Sequence, residues 1–146
     1  MKKGVKILII CLVVAAVVAG GAAYTFRPLT FSQAIGGVKA EDIERIELLN
    51  GTTGVVSQTI EPEYIEEIYG KIASVKLRAT MPEDRAGWSY GIHIYVKNTD
   101  GFVSYTCNYG FNKYDGYKGN VKTLMYYMDD TEGVESVIAE YSKKLA

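Results

Sequence analysis

His93 is the one histidine in this chain, and imidazole is the side chain best placed to move a proton near neutral pH. Its use depends on neighbours. A general base needs one group to orient it and a nucleophile to serve. Neither is indicated by spacing; a hydrolase-type enzyme of unrecognised kind would have to use His93 with Glu83 or Asp84 from the loop before its strand. A strand histidine that is exposed or simply hydrogen-bonded is the plainer expectation. Cys11 lies within an apolar run, and Cys107 falls on the apolar side of a strand. Both read as small inert residues, and no disulfide can form within the domain. Cys11 does not read as a lipidated cysteine, because Ile10 precedes it and most of the apolar run follows. Glu63, Glu66 and Glu67 open a helix, where acids complement the dipole. Asp129, Asp130 and Glu132 lack the spaced acidic loop of a calcium site. Zinc would need three or four grouped ligands, and none are grouped. Gly36-Gly37 is too short to cradle a phosphate, and no G-x-G-x-x-G or P-loop pattern occurs. We therefore expect no catalytic set, no cofactor and no metal.

One cluster of residue types suits recognition. Six of the twelve tyrosines lie between Tyr105 and Tyr127. Tyr109, Phe111, Tyr114 and Tyr117 stand among Asn108, Asn112, Asp115, Gly110, Gly116 and Gly119. Tyr with Asn and Gly is the composition of adaptable binding surfaces, and aromatic rings can stack on a peptide or a sugar face. Tyrosine also suits a half-buried pleat. That second explanation fits Tyr105 and Tyr109; for Tyr114 and Tyr117 both remain open.

The elements that must position these residues begin with an anchor. Lys2, Lys3 and Lys6 precede an uncharged stretch from Ile7 to Phe26, which is 20 residues long. A spanning helix needs about 20 apolar residues. Basic residues orient their end of a span to the cytoplasm, and only Arg27 follows the stretch. The expectation is a single-pass membrane protein with residues 7–26 in the membrane, the N-terminus inside and the C-terminal domain outside. A signal peptide cleaved near Ala23 is the alternative, which would make the domain secreted. With the three N-terminal lysines set aside, the 16 basic residues fall to 13 against 17 acidic. A domain near −4 lacks the basic footprint of a nucleic-acid binder.

Beyond the anchor, Thr30 or Ser32 can cap one turn, Phe31 to Ile35, ended by Gly36-Gly37. Ile43, Ile46 and Leu49 are three apart, which suits a helix. Asn50-Gly51 and the β-branched run Val55–Ile60 favour a hairpin instead. Asn50-Gly51-Thr52 also fits a glycosylation pattern, which the turn chemistry already explains. Pro62 opens a helix with the stripe Ile65, Ile68, Tyr69, Ile72 and Val75. Lys76–Ala79 can be a short strand. Trp88 to Lys97 alternates, with Trp88, Tyr90, Ile92, Ile94 and Val96 on one face and Ser89, Gly91, His93, Tyr95 and Lys97 on the other. Asn98 to Gly101 turns, and Phe102–Phe111 should return as one strand. Residues 112–120 read as loop or edge hairpin, and 121–128 as strand or helix, with strand favoured. Thr131 to Leu145 is an amphipathic helix with the stripe Val134, Val137, Ile138, Tyr141 and Leu145.

The expected fold class is α+β. One N-terminal transmembrane or signal-anchor helix (1–26) leads through a linker and turn (27–40) to a domain over 41–146. That domain should be an antiparallel sheet with two amphipathic helices packed on one face. Phe31-Ser-Gln-Ala-Ile35, Ile46 through Gly51 to Gly54, the Ile65/Ile68/Ile72 helix and the Gly87-Trp88-Ser89-Tyr90 strand start together resemble small membrane-anchored extracytoplasmic domains of unknown function from Gram-positive, clostridial-type bacteria. The resemblance covers most of residues 30–111 and implies a location and a fold, without an activity. The expected function is a non-enzymatic binding or accessory module for an envelope protein, a peptide or a wall glycan. A structural subunit contacting another membrane protein through the span and Arg27–Ile35 is an alternative, as is the hydrolase-type enzyme.

Overall fold

The computed structural model describes residues 2–79, 90–107, 110–121, 126–128 and 131–146. Helix α1 (Lys3–Thr25) has 23 residues and no buried side chain. At 1.5 Å per residue it is about 35 Å long, against a hydrocarbon core of about 30 Å. It is long and apolar enough to cross a membrane or act as a signal anchor.

The next residues are already part of the folded domain. Strand β1 (Leu29–Thr30) runs into the single turn α2 (Phe31–Ala34). Thr30 caps that turn reciprocally: its hydroxyl accepts from the Gln33 N–H at 3.2 Å, and its own N–H donates to the Gln33 carboxamide at 3.0 Å. This satisfies two amides that the turn cannot. Phe31, Ala34 and Ile35 are buried, so the stretch expected to link anchor to domain supplies core. Phe31 packs edge-on against Tyr105 and Phe111 at 5.4 and 5.1 Å.

Two antiparallel sheets follow, where one was expected. The larger has the order β3 (Val55–Thr59), β2 (Ile43–Asn50), β5 (Tyr90–Val96), β6 (Phe102–Thr106) and β7 (Gly110–Tyr114), and the smaller β1 (Leu29–Thr30), β4 (Lys76–Ala79) and β8 (Tyr126–Met128). Strands β2 (Ile43–Asn50) and β3 (Val55–Thr59) form the hairpin signalled by Asn50-Gly51. The Asn50 side chain accepts from the N–H groups of Thr52 and Thr53 at 3.1 and 3.2 Å, which fixes the turn. The helix-like spacing of Ile43 and Ile46 has a local cause. A β-bulge between Ile43 and Arg45 inserts one residue, so both isoleucines reach the core although three positions separate them.

Helix α3 (Pro62–Ala73) buries Ile65, Ile68, Tyr69 and Ile72, the expected stripe. Strand β4 (Lys76–Ala79) pairs with β1 and with β8 (Tyr126–Met128), so the C-terminal part of 121–128 is strand. Helix α4 (Thr131–Lys144) buries Val134, Ile138 and Tyr141. It lies against β2 and β5, and α3 lies against β2 and α4, so one face of the larger sheet is covered by helix. That inner face carries Ile46, Leu48, Ile92, Ile94, Val103, Tyr105 and Phe111. The fold is α+β, with helices and an antiparallel sheet after the apolar helix.

The return strand differs from expectation. Phe102–Phe111 is not one strand. Strand β6 (Phe102–Thr106) ends, and β7 (Gly110–Tyr114) runs back along it with Thr106 opposite Gly110 and Tyr105 opposite Phe111. Gly110 has a φ of 79°, which only glycine adopts freely, and it makes the reversal affordable. Hydrophobic alternation ran through this reversal because Val103, Tyr105, Cys107 and Phe111 all face one core from two strands.

Candidate functional site

Of the four residues singled out for partner binding, three fall within the described residues. Phe111 is buried in the core beside Tyr105, 4.7 Å between ring centroids. Tyr117 is also buried, and burial pushes its hydroxyl pKa up. A Cβ on Gly119 would run into the Tyr117 ring, so that glycine serves close packing. Tyr114 is 45% exposed at the end of β7. Tyr109 lies outside the described residues, as do Trp88, Glu83, Asp84, Asp129 and Asp130.

Tyr114 belongs to a larger arrangement on the outer face of the five-stranded sheet, opposite the helices. Strand pairing sets Arg45 opposite Tyr95, Tyr95 opposite Phe102 and Phe102 opposite Tyr114. The guanidinium of Arg45 lies over the Tyr95 ring, 3.9 Å from its centre. Tyr95 and Phe102 are 4.8 Å apart, and Phe102 and Tyr114 are 5.0 Å apart with 14° between their planes. These spacings match the separation of neighbouring strands, about 4.7–4.9 Å. The rings therefore stand side by side on the sheet along the row, Phe102 stacked on Tyr114 and tilted by 33° against Tyr95. One row spans four strands, with a cation at the β2 end and Tyr114 at the β7 end.

Beside it runs a polar row. Glu47 pairs with Gln58 on one side and His93 on the other, and His93 pairs with Ser104. The Glu47 carboxylate is a hub. It accepts from the Tyr95 hydroxyl at 3.1 Å and lies 3.2 Å from His93 Nδ1 and 3.3 Å from the Arg45 guanidinium. A carboxylate only accepts, so Nδ1 of His93 carries the proton toward Glu47. Burial first, and then the bond to Glu47, raises the Tyr95 pKa and keeps its hydroxyl a neutral donor. His93 also lies 4.5 Å from Phe102, which ties the two rows together.

Glu47, His93 and Ser104 thus succeed one another in the order of an acid, a histidine and a serine nucleophile. The chemistry of that triad needs more. No hydrogen bond joins Ser104 to His93, and Ser104 is 4% exposed. The three residues sit in mid-sheet, where ladder bonds engage the backbone N–H groups that an oxyanion would need. What Glu47 does here is orient His93 and Tyr95. Among the described residues no group of three or more His, Cys, Asp or Glu could hold a metal ion. Cys107 is buried with its pKa pushed up to about 12, chiefly by desolvation and then by Glu135, so it carries no nucleophilic thiolate.

A second concavity, an open groove of about 650 Å³, lies between the start of β2 and the start of α3. Lys39 pairs with Glu41 at 3.5 Å, and Lys97 donates to the Glu41 carbonyl at 2.7 Å.

Alternation along β5 placed His93 and Tyr95 on one face. It could not place Arg45, Glu47 and Phe102 beside them, because cross-strand register decides that. The chain matches no known family model, no curated protein and no solved structure.

Proposed function

We propose that this chain is a non-enzymatic, membrane-anchored binding module. Its domain faces the outside of the cell and takes an extended peptide segment of an envelope protein at the β7 end of the aromatic row. The observation that carries the reading is Tyr114. Phe102 covers one face of its ring, yet the residue remains 45% exposed on an edge strand. At the other end of the row a guanidinium already covers Tyr95, which indicates the kind of group that would complete it. An arginine of the ligand stacked on Tyr114 would contribute only about 0.5–1 kcal/mol at so exposed a site. Main-chain pairing along β7 would supply the rest, as in strand-addition complexes. Sugar recognition is less well supported, because Tyr95 and Phe102 are already covered by Arg45 and Tyr114. The outward orientation is supported by Lys2, Lys3 and Lys6 before α1 and Arg27 alone just after it.

A photo-crosslinking residue at Tyr114 of the full-length chain in cells tests this. We expect a discrete protein adduct at 114 and none with the same probe at Tyr64, which is 37% exposed on α3. Equal labelling from both positions, or none from either, would sink the site. An adduct that muramidase digests away would put a wall glycan in place of the peptide.

A further inference from the structure

The two edges of the larger sheet differ in charge. Strand β7 carries Lys113, whereas β3 itself carries no charged residue, the first being Glu61 beyond its end. Val55, Val56, Ser57, Gln58, Thr59 and Ile60 are six consecutive residues with no charge, no proline and no glycine, four of them β-branched. Among the described residues β2 is the sole strand paired with β3. Val55, Val56 and Ile60 remain 48%, 56% and 65% exposed. An uncharged, β-branched free edge is a template for another strand, and folded proteins normally blunt such edges with charge or proline.

We infer that the free edge of β3 pairs with β3 of a second copy of this chain, antiparallel about a two-fold axis at Gln58. The sequence of the edge selects this occupant. Directly opposite residues in an antiparallel pair share a face, so the register centred on Gln58 sets Val56 against Ile60, Gln58 against Gln58 and Ser57 against Thr59. Apolar meets apolar and amide meets amide, while the Ser57 and Thr59 hydroxyls are already engaged within each copy by the Ser142 carbonyl and the Glu61 N–H. A register centred on Ser57 would set Val56 against Gln58 and Val55 against Thr59, separating the exposed Val56 and Ile60 that the Gln58 register joins, although the Gln58 register sets Val55 against Glu61. The segment offers no charge for a foreign partner to complement. Two copies paired this way leave no free β3 edge, so the assembly closes at two.

One strand pair is smaller than a standard interface of about 1,600 Å². The association is therefore weak in dilute solution and relies on the anchor, which holds copies in a common membrane. The anchor tolerates close approach, since Cys11, Ala15, Ala19 and Ala22 make one small-residue row along α1.

The test uses the full-length chain in isolated membranes, with Cys11→Ser to silence the anchor cysteine. Gln58→Cys should give a disulfide-linked dimer on mild oxidation, and Lys113→Cys on the opposite edge should not. A mixture of Val56→Cys and Ile60→Cys chains should cross-link at least several-fold more than either chain alone. Adding Gln58→Lys, which sets like charges face to face, should abolish that signal, while unchanged circular dichroism verifies the fold. Monomer alone from Gln58→Cys, equal linking from Lys113→Cys, or a ladder beyond the dimer would each overturn the inference.

Discussion

Glu47 holds three side chains in place from one carboxylate, and its neighbour Glu44 holds none that contributes to the face. The two therefore make a matched pair for measurement. Hydrogen bonds to a charged group contribute about 1.5–3 kcal/mol each when buried, and less where water competes. The Glu47 side chain is 18% exposed, so competition is partial. We expect Glu47→Ala to lower unfolding stability by about 1–3 kcal/mol in a denaturant titration. Glu44→Ala should stay within about 0.5 kcal/mol, as surface substitutions usually do. Equal losses would mean that the hub does not organise the face. His93 and Tyr95 also depend on this carboxylate for their orientation, so Glu47→Ala should loosen the row without removing a ring from it.

At the scale of elements, the segment after β7 carries the lesson of the tyrosine-rich region. Its composition resembles an adaptable surface, yet Tyr117 is buried and Gly119 lies against its ring. Gly119→Ala should therefore destabilise the domain by about 1–3 kcal/mol through overpacking. The same change at exposed Gly70, where an added Cβ meets nothing within 4 Å, should be neutral or stabilising in helix α3. Comparing the two melting curves checks this. The α3–α4 seam is finished at the surface. Lys144 donates to Glu140 at 2.8 Å, and Lys71 reaches the same carboxylate at 3.5 Å. The bond from Lys144 depresses the Glu140 pKa. Its contribution is thus present at neutral pH and lost as pH falls through that lowered value. Because the pair is exposed, molar salt should erase it.

For the whole molecule, the apolar helix α1 and the core divide the two cysteines in a way that makes topology measurable. Cys107 is fully buried, and its thiol stays protonated until about pH 12. It should be silent to a membrane-impermeant maleimide until the domain unfolds. A cysteine at Thr52, in the exposed hairpin turn, should be labelled in intact cells if residues 27–146 lie outside. Labelling of Thr52→Cys only after lysis would turn the domain to the cytoplasm, and the envelope-binding proposal would fall with it. Strand-edge pairing between copies would survive that outcome, since it needs a shared membrane and not a particular side of it.

The apolar helix, the Asn50-Gly51 hairpin and the stripes of α3 and α4 were legible in the residues because local physics decides them. An unbroken apolar run sets a long helix, asparagine chemistry sets a turn, and 3.6-residue spacing sets a helical face. The break between β6 and β7 was hidden because both strands offer the same alternation to one core. The bulge at Ile43 was hidden because an inserted residue imitates the spacing of a helix. The aromatic row could not be read at all. Arg45, Tyr95, Phe102 and Tyr114 come from four strands, and only register brings them together. The sequence alone determined which segments are helix or hairpin; tertiary pairing decided which rings became core and which became surface, because burial is a property of the partner strand as much as of the residue.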